Sequence, residues 1–215
     1  VGYLGRFHAQ KYAAIDGVEL VGVADINKSQ ADKVALECNC TPYQDYLELL
    51  DQVDAVSVVV PTSLHHEIAM RCFARYIDVP LEKPMTVTLE EADELISTAA
   101  DRNLVFQVGH LERFNPAVVA MKPFLTTPAF IESSRISTFK RRGVDVDVVL
   151  DLMIHDIDII LSVVNSEVKD IHASGVSVIS ETPDIANARI EFENGCVANL
   201  TASRISMKNM RKSRF

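Results

Sequence analysis

The sequence has no run of eighteen apolar residues free of charge, so it offers no membrane-spanning helix. It also lacks an excess of positive charge. Its 21 Lys and Arg stand against 30 Asp and Glu, a formal net charge of −9, which is the opposite of a nucleic-acid footprint. Cysteine is sparse: Cys38, Cys40, Cys72 and Cys196 match neither paired zinc knuckles nor a disulfide framework. Four thiols at these spacings suit a reduced, cytoplasmic protein. Residue 1 is valine, no basic-then-apolar leader follows it, and no internal repeat or low-complexity tract is visible. Hydrophobic residues at 48% and charged residues at 24% exclude a disordered chain, and 215 residues allow one large domain or two modest ones.

In the first half, short β-branched runs alternate with helix-like segments, the rhythm of a βαβ sheet. The strand runs are residues 18–24, 55–60, 77–81 and 104–108. Helical spacing of apolar residues marks 6–15, 29–37, 46–50, 63–75 and 89–101. Thr88 and Glu91 form a capping-box pattern at the start of the last of these. The run 56–60 is apolar on both faces and suits a parallel strand covered by helices on both sides. Beyond residue 110 the texture changes. Asn115-Pro116 reads as an N-cap followed by proline at the first helical position, opening a short helix towards Phe124. A long helix is expected over 145–164, and strands over 171–179, 186–193 and 196–203. Asn194-Gly195 between the last two is a strong hairpin signal. The expected fold is α/β: a Rossmann dinucleotide-binding domain over 1–110, then an α+β domain over 111–215 with a mostly antiparallel sheet.

Val1-Gly2-Tyr3-Leu4-Gly5 followed by a helix matches the tail of a G-x-G-x-x-G fingerprint whose first glycine falls just before Val1. Gly2 would admit a pyrophosphate to the backbone, and Gly5 would let the helix approach the sheet. Two glycines three apart also describe a plain tight turn. Asp25 lies twenty residues after Gly5 at the end of a strand run, where an acid binds both ribose hydroxyls of an adenosine and repels a 2′-phosphate. A strand-end Asp is also a common turn former. The combination favours an NAD site over an NADP site. A glycine turn of this kind follows a strand at the centre of the sheet, so an N-terminal strand is expected ahead of Gly2.

Glu82-Lys83-Pro84 closes the run 77–81 and sets Lys83 at a carboxyl end, where open α/β sheets bind ligands. A surface lysine is the plainer alternative. On the long helix Asp151 and His155 are four apart and share a face, with Asp158 a turn further. Three polar groups on an otherwise apolar helix need a reason, because unpaired buried charge is costly. A packing Asp–His pair is one reason. A metal site is another, but it lacks a third ligand.

Gly2 to Gly5 with His8, Asp25, Pro61-Thr62 with His65, Glu82-Lys83-Pro84 and Asp151-Leu-Met-Ile-His155 together resemble the Gfo/Idh/MocA family of NAD(P)-dependent sugar and polyol oxidoreductases. The resemblance covers all 215 residues. The segments 108–116, 145–161 and 191–206 look closest to the branch that oxidises a UDP-linked amino sugar to its 3-keto form, ahead of transamination in lipid A synthesis. Members of the family are longer, so the chain is expected to be a piece, short of an N-terminal strand and of part of its second sheet.

The resemblance implies NAD as cofactor and a sugar nucleotide as substrate. It implies His155 as general base, since removal of hydride from a secondary alcohol needs a group that takes the hydroxyl proton. Asp151 would orient His155 or bind a neighbouring hydroxyl, and Lys83 would hydrogen-bond the reacting oxygen. Gly2, Tyr3, Leu4, Gly5, His8, Asp25, Pro61, Thr62, His65, Glu82 and Lys83 would line the dinucleotide. Arg113 and Asn115 would reach the nicotinamide or the sugar, and Lys140-Arg141-Arg142 the substrate diphosphate. A one-sided antiparallel sheet implies a homo-oligomer. Alternatives from the residues are a same-family dehydrogenase of a free sugar or inositol, a non-catalytic NAD-binding protein, and a metal-dependent lyase or hydrolase using Asp151 and His155.

Overall fold

The computed structural model describes residues 1–139 and 146–215. The chain divides into two compact units, Val1–Gly109 and His110–Phe215.

In the first unit, helices alternate with short parallel strands. Helix α1 (Tyr3–Tyr12) is followed by β1 (Gly22–Ala24), α2 (Lys28–Cys38), β2 (Thr41–Tyr43), α3 (Leu47–Leu50), α4 (His65–Phe73), β3 (Val79–Leu81), α5 (Leu89–Asp101) and β4 (Phe106–Val108). The sequence marks several of these ends chemically. Asn27 caps α2 by accepting the Ser29 amide, and Asn39 closes it in the left-handed region at φ 53°. Thr88 and Glu91 form the reciprocal capping box of α5.

Strand β1 pairs with β2 in parallel, and β3 with β4. Residues 55–60 join the second pair through bridges from Ala55 to Asp78 and from Val58 to Leu81. That run, expected as a strand, therefore makes a ladder on one edge only. A cavity of about 720 Å³, walled by residues 21–26 and 55–60, separates the two strand pairs. The expected strands are also shorter here than their apolar runs, because β-branched runs report burial whereas a ladder extends only as far as a partner strand runs alongside. Packed under α4 and α5 are Val58, Phe73, Val79, Leu81 and Leu95. Ala9, Val23, Val34 and Ala35 form a second cluster under α1 and α2. Gly22 is the tightest glycine: a Cβ there would sit 2.5 Å from the Tyr43 ring and 2.7 Å from the Thr41 carbonyl oxygen.

In the second unit α6 (Pro116–Met121) precedes β5 (Phe130–Ile136), a helical stretch ending in α7 (Ile154–Val163), and then β6 (Val168–Val176), β7 (Ile185–Phe192), β8 (Val197–Ser203) and β9 (Met210–Arg214). The sheet order is β6-β7-β8-β5-β9, antiparallel except for β5 beside β8. Gly195, at φ 85°, turns the β7–β8 hairpin, and the Asn194 side chain accepts the Cys196 amide. Strand β7 alternates exposed and buried residues with period two. Its inward Ala186 and Ala188, with Ala198 and Ala202 of β8, are small, so Met153 and Ile160 of the helical layer pack directly on the sheet. Strands β5 and β9 were not among the expected elements; β5 carries the polar run Glu132-Ser133-Ser134-Arg135 and β9 carries charge along its exposed length.

The long helix differs from expectation at its start. Residue 145 lies outside the described residues. Asp147 supplies the cap, accepting the amides of Val149 and Leu150, and the next turn, Val149–Met153, is π-helical before α7 begins. Apolar spacing cannot report such a widened turn, since it fixes which face is buried and not which carbonyl each amide meets.

Candidate functional site

Gly2 opens α1 in extended geometry, and no side chain caps the helix or places an acid in its first turn. A Cβ at Gly2 would meet nothing within 4 Å, so the approach to these amides is open. Helix amides in this state favour an anion. Gly5 is less demanding than the fingerprint suggests. Its Cβ would stand 3.6 Å from Val1 and 3.7 Å from Val59, ordinary contact distances.

Asp25 ends β1 beside this turn. Its carboxylate accepts the nitrogen of Val1 at 2.8 Å and the Asn27 amide at 2.9 Å, and the Val1 nitrogen also donates to the Ala24 carbonyl. Burial acts to raise the Asp25 carboxyl and the Asn27 amide acts to lower it, and the carboxylate is an anion at neutral pH. The structure therefore brings Gly2, the α1 amides and Asp25 together at the carboxyl end of β1. Such a set fits a dinucleotide, with its pyrophosphate on the helix terminus and its ribose on the acid.

At the end of β3, Glu82 is 7% exposed, and Pro84 is also buried, while Lys83 between them is half-buried. His8 of α1 places Nε2 3.0 Å from Glu82 Oε1 and Nδ1 2.7 Å from Ser57 Oγ. Burial works to raise the Glu82 carboxyl, yet the bond to His8 and the neighbouring Lys83 hold it below its ordinary range. Pro61 and Thr62 lead into a short 3-10 turn, Thr62–Leu64, with Thr62 buried. His65 departs from expectation. Its ring is 1% exposed, with Nδ1 2.9 Å from the Pro84 carbonyl and Nε2 3.0 Å from the Val60 carbonyl. A neutral imidazole carries a hydrogen on one nitrogen only, so the ring donates to one of these two carbonyls, and its burial holds it against the backbone. Tyr3 and Leu4 sit exposed in the first turn of α1.

In the second unit, Asp151 lies in the π-helical turn and His155 in the first turn of α7, and both are half-buried. Asp158 does not share a task with them. It accepts the Arg113 guanidinium through both oxygens at 2.7 Å. Arg113, expected at the substrate, is thereby an anchor between its own 3-10 turn and α7. His110 Nδ1 lies 3.8 Å from the same carboxylate. Asn115 caps α6 by accepting the Ala117 amide, so its oxygen is spent on the helix rather than on a sugar. Lys140-Arg141-Arg142 lie outside the described residues.

Two buried ion pairs escaped the sequence reading. Asp156 holds Arg135 of β5, with Nη2 to Oδ1 at 2.7 Å. Asp184 is fully buried and accepts the amides of Val178, Ile179 and Ser180 together with Arg204 Nε. Arg204 also donates to the Val146 carbonyl, so this buried arginine is a core anchor. Arg211 and Arg214 pair with Glu112 and Glu132. No signal in a single sequence links residues twenty or more apart in this way. Among the described residues, no group of three or more His, Cys, Asp or Glu is gathered to hold a metal, and no helix is long and apolar enough to cross a membrane.

Comparison with known proteins agrees with the geometry. Residues 1–110 match the oxidoreductase family model with an NAD-binding Rossmann fold, and residues 129–214 match the GFO/IDH/MocA C-terminal domain. UDP-N-acetylglucosamine 3-dehydrogenase of Acidithiobacillus ferrooxidans is 43% identical over 100% of this chain and 68% of its own length. Its solved structure superposes with a TM-score of 0.91, covering 100% of this chain and 70% of that one. The scyllo-inositol 2-dehydrogenase (NAD(+)) of Bacillus subtilis is 29% identical over 96% of this chain and 66% of its own length. The chain thus spans about two thirds of the length of these relatives. The glycine turn, the acid after β1, Glu82-Lys83-Pro84 and the Asp151–His155 helix stand together in one chain for a shared reason: it belongs to the Gfo/Idh/MocA family of oxidoreductases, and its first unit is that family's NAD-binding Rossmann domain.

Proposed function

We propose that the chain is an NAD-dependent dehydrogenase that oxidises a secondary hydroxyl of a sugar nucleotide, the C3 hydroxyl of UDP-N-acetylglucosamine. The observation that carries this reading is 43% identity to an enzyme of that name along the entire chain, with Lys83, Asp151 and His155 all present. The relative of inositol specificity stands at 29%, which favours the sugar nucleotide over a free polyol.

The chemistry supplied by bound NAD is acceptance of the hydride. Gly2 and the first amides of α1 hold its pyrophosphate, and Asp25 its ribose. Lys83 donates a hydrogen bond to the reacting oxygen, where negative charge develops as the proton leaves. His155 takes that proton at a ring nitrogen, and Asp151 orients the ring or a neighbouring hydroxyl. In this reading the enzyme is cytoplasmic, in keeping with four free cysteines, and serves the amino-sugar branch of lipid A synthesis. It works as a homo-oligomer, the arrangement that a one-sided antiparallel sheet favours.

Separate substitutions Lys83→Ala and His155→Ala test the assignment. Each lowers kcat about a hundredfold or more while NADH affinity stays within about threefold. Turnover near that of the parent in either variant removes that residue from the mechanism.

A further inference from the structure

Lys83 is flanked by two buried residues, and each is held by a histidine from a distant helix. On the N-terminal side His8 Nε2 meets Glu82 Oε1 at 3.0 Å, and Glu82 Oε2 accepts the amide of Lys83 itself at 3.3 Å. On the C-terminal side the buried His65 ring sets Nδ1 2.9 Å from the Pro84 carbonyl, to which a neutral ring with its hydrogen on Nδ1 donates. Gly109 closes the wall behind them. Its amide donates to the Leu81 carbonyl at 2.7 Å, and a Cβ on it would stand 3.4 Å from Glu82 Oε1.

A lysine has a four-carbon stem and many rotamers, so its ammonium is aimed only if the backbone it grows from is fixed. A buried carboxylate, in turn, keeps its place only with donors on both oxygens. We propose that His8, acting through Glu82, and His65 are positioning residues for Lys83: they clamp the backbone on both sides of it and do not themselves contact the dinucleotide. This rests on the assignment of Lys83 to the reacting oxygen.

The two nitrogens of His8 can be replaced one at a time. A glutamine amide nitrogen reaches the place of Nε2, and an asparagine amide nitrogen the place of Nδ1. His8→Gln therefore keeps the donor to Glu82 and gives up Ser57 Oγ, whereas His8→Asn does the reverse. With UDP-N-acetylglucosamine as substrate, His8→Asn is expected to lower kcat about tenfold to a hundredfold. His8→Gln restores most of that loss, and Ser57→Ala behaves like His8→Gln. NADH affinity, read by fluorescence titration, stays within about threefold in all of them.

Equal kcat values for the Gln and Asn variants overturn the proposal, because a side chain that merely fills space does not distinguish them. A weakened NADH affinity with unchanged kcat overturns it too, by making His8 a cofactor contact. Lys83→Met, measured alongside, separates the two levels of the reading. If it keeps parental turnover, the role of Lys83 fails. If it loses turnover while the two His8 variants agree, only the clamp fails. In the Lys83→Met background, His8→Asn should cost nothing further, since there is no ammonium left to aim.

Discussion

Asp25 shows how much one side chain decides. Its carboxylate ends β1 beside the Gly2 turn and is an anion at neutral pH. An anion there accepts two ribose hydroxyls and repels a 2′-phosphate. Asp25→Ser is therefore expected to shift the ratio of kcat/KM for NAD over NADP by about tenfold towards NADP, the size of one lost charge-assisted hydrogen bond. An unchanged ratio would place Asp25 away from the ribose. The placement of Asp25 and Lys83 after strands and of Gly2 at a helix start was legible in the sequence, because such residue types punctuate strand and helix ends. The partners that His65, Arg113 and Asn115 find inside the fold were not legible there. Whether a polar side chain turns towards a ligand or a carbonyl depends on what the chain delivers beside it, and Pro84 lies nineteen residues from His65.

Among the elements, α5 was read from sequence to the residue, since its capping box fixes one end and its apolar period the rest. The run 55–60 was read as a full strand and makes only isolated bridges, because its second edge faces the cavity. The helical layer of the second unit hides more. Asp158 looks like part of one polar stripe with Asp151 and His155, but it serves Arg113, and Asp156, off that stripe, serves Arg135. Arg135 and Asp156 are each 5% exposed, so neither can fall back on water if its partner is lost. Asp156→Ala should cost the second unit about 3 kcal/mol in urea unfolding, since it leaves the buried guanidinium only Glu112, 3.6 Å away. A cost below about 1 kcal/mol would mean that water reaches Arg135.

For the molecule as a whole, Asp184 ties one unit's stability to pH. Burial acts to raise its carboxyl, but Ser180, the amides of the 178–180 turn and Arg204 hold it far below the carboxylate range. Its folded-state value is depressed, so its contribution is complete above the unfolded value of about 3.9 and is lost as pH falls towards the folded one. Urea unfolding between pH 6 and pH 2 should therefore show stability falling with acid in the parent and a lower, flatter profile in Asp184→Asn. Parallel profiles would contradict this.

The two-unit plan, the parallel rhythm of the first and the antiparallel hairpin of the second were all visible in apolar periodicity and turn residues. Sheet order was not, because β5 is half polar and β9 is charged along its length. The site lay between these extremes: its chemistry was written in residue types, its support in contacts that only folding creates. The most direct test of the functional reading is the initial rate of NADH formation with NAD and, in parallel, UDP-N-acetylglucosamine, free N-acetylglucosamine and myo-inositol. The account predicts a kcat/KM for UDP-N-acetylglucosamine at least about a hundredfold above the other two, the worth of a bound diphosphate. Equal or greater turnover of a free sugar or of inositol would contradict it.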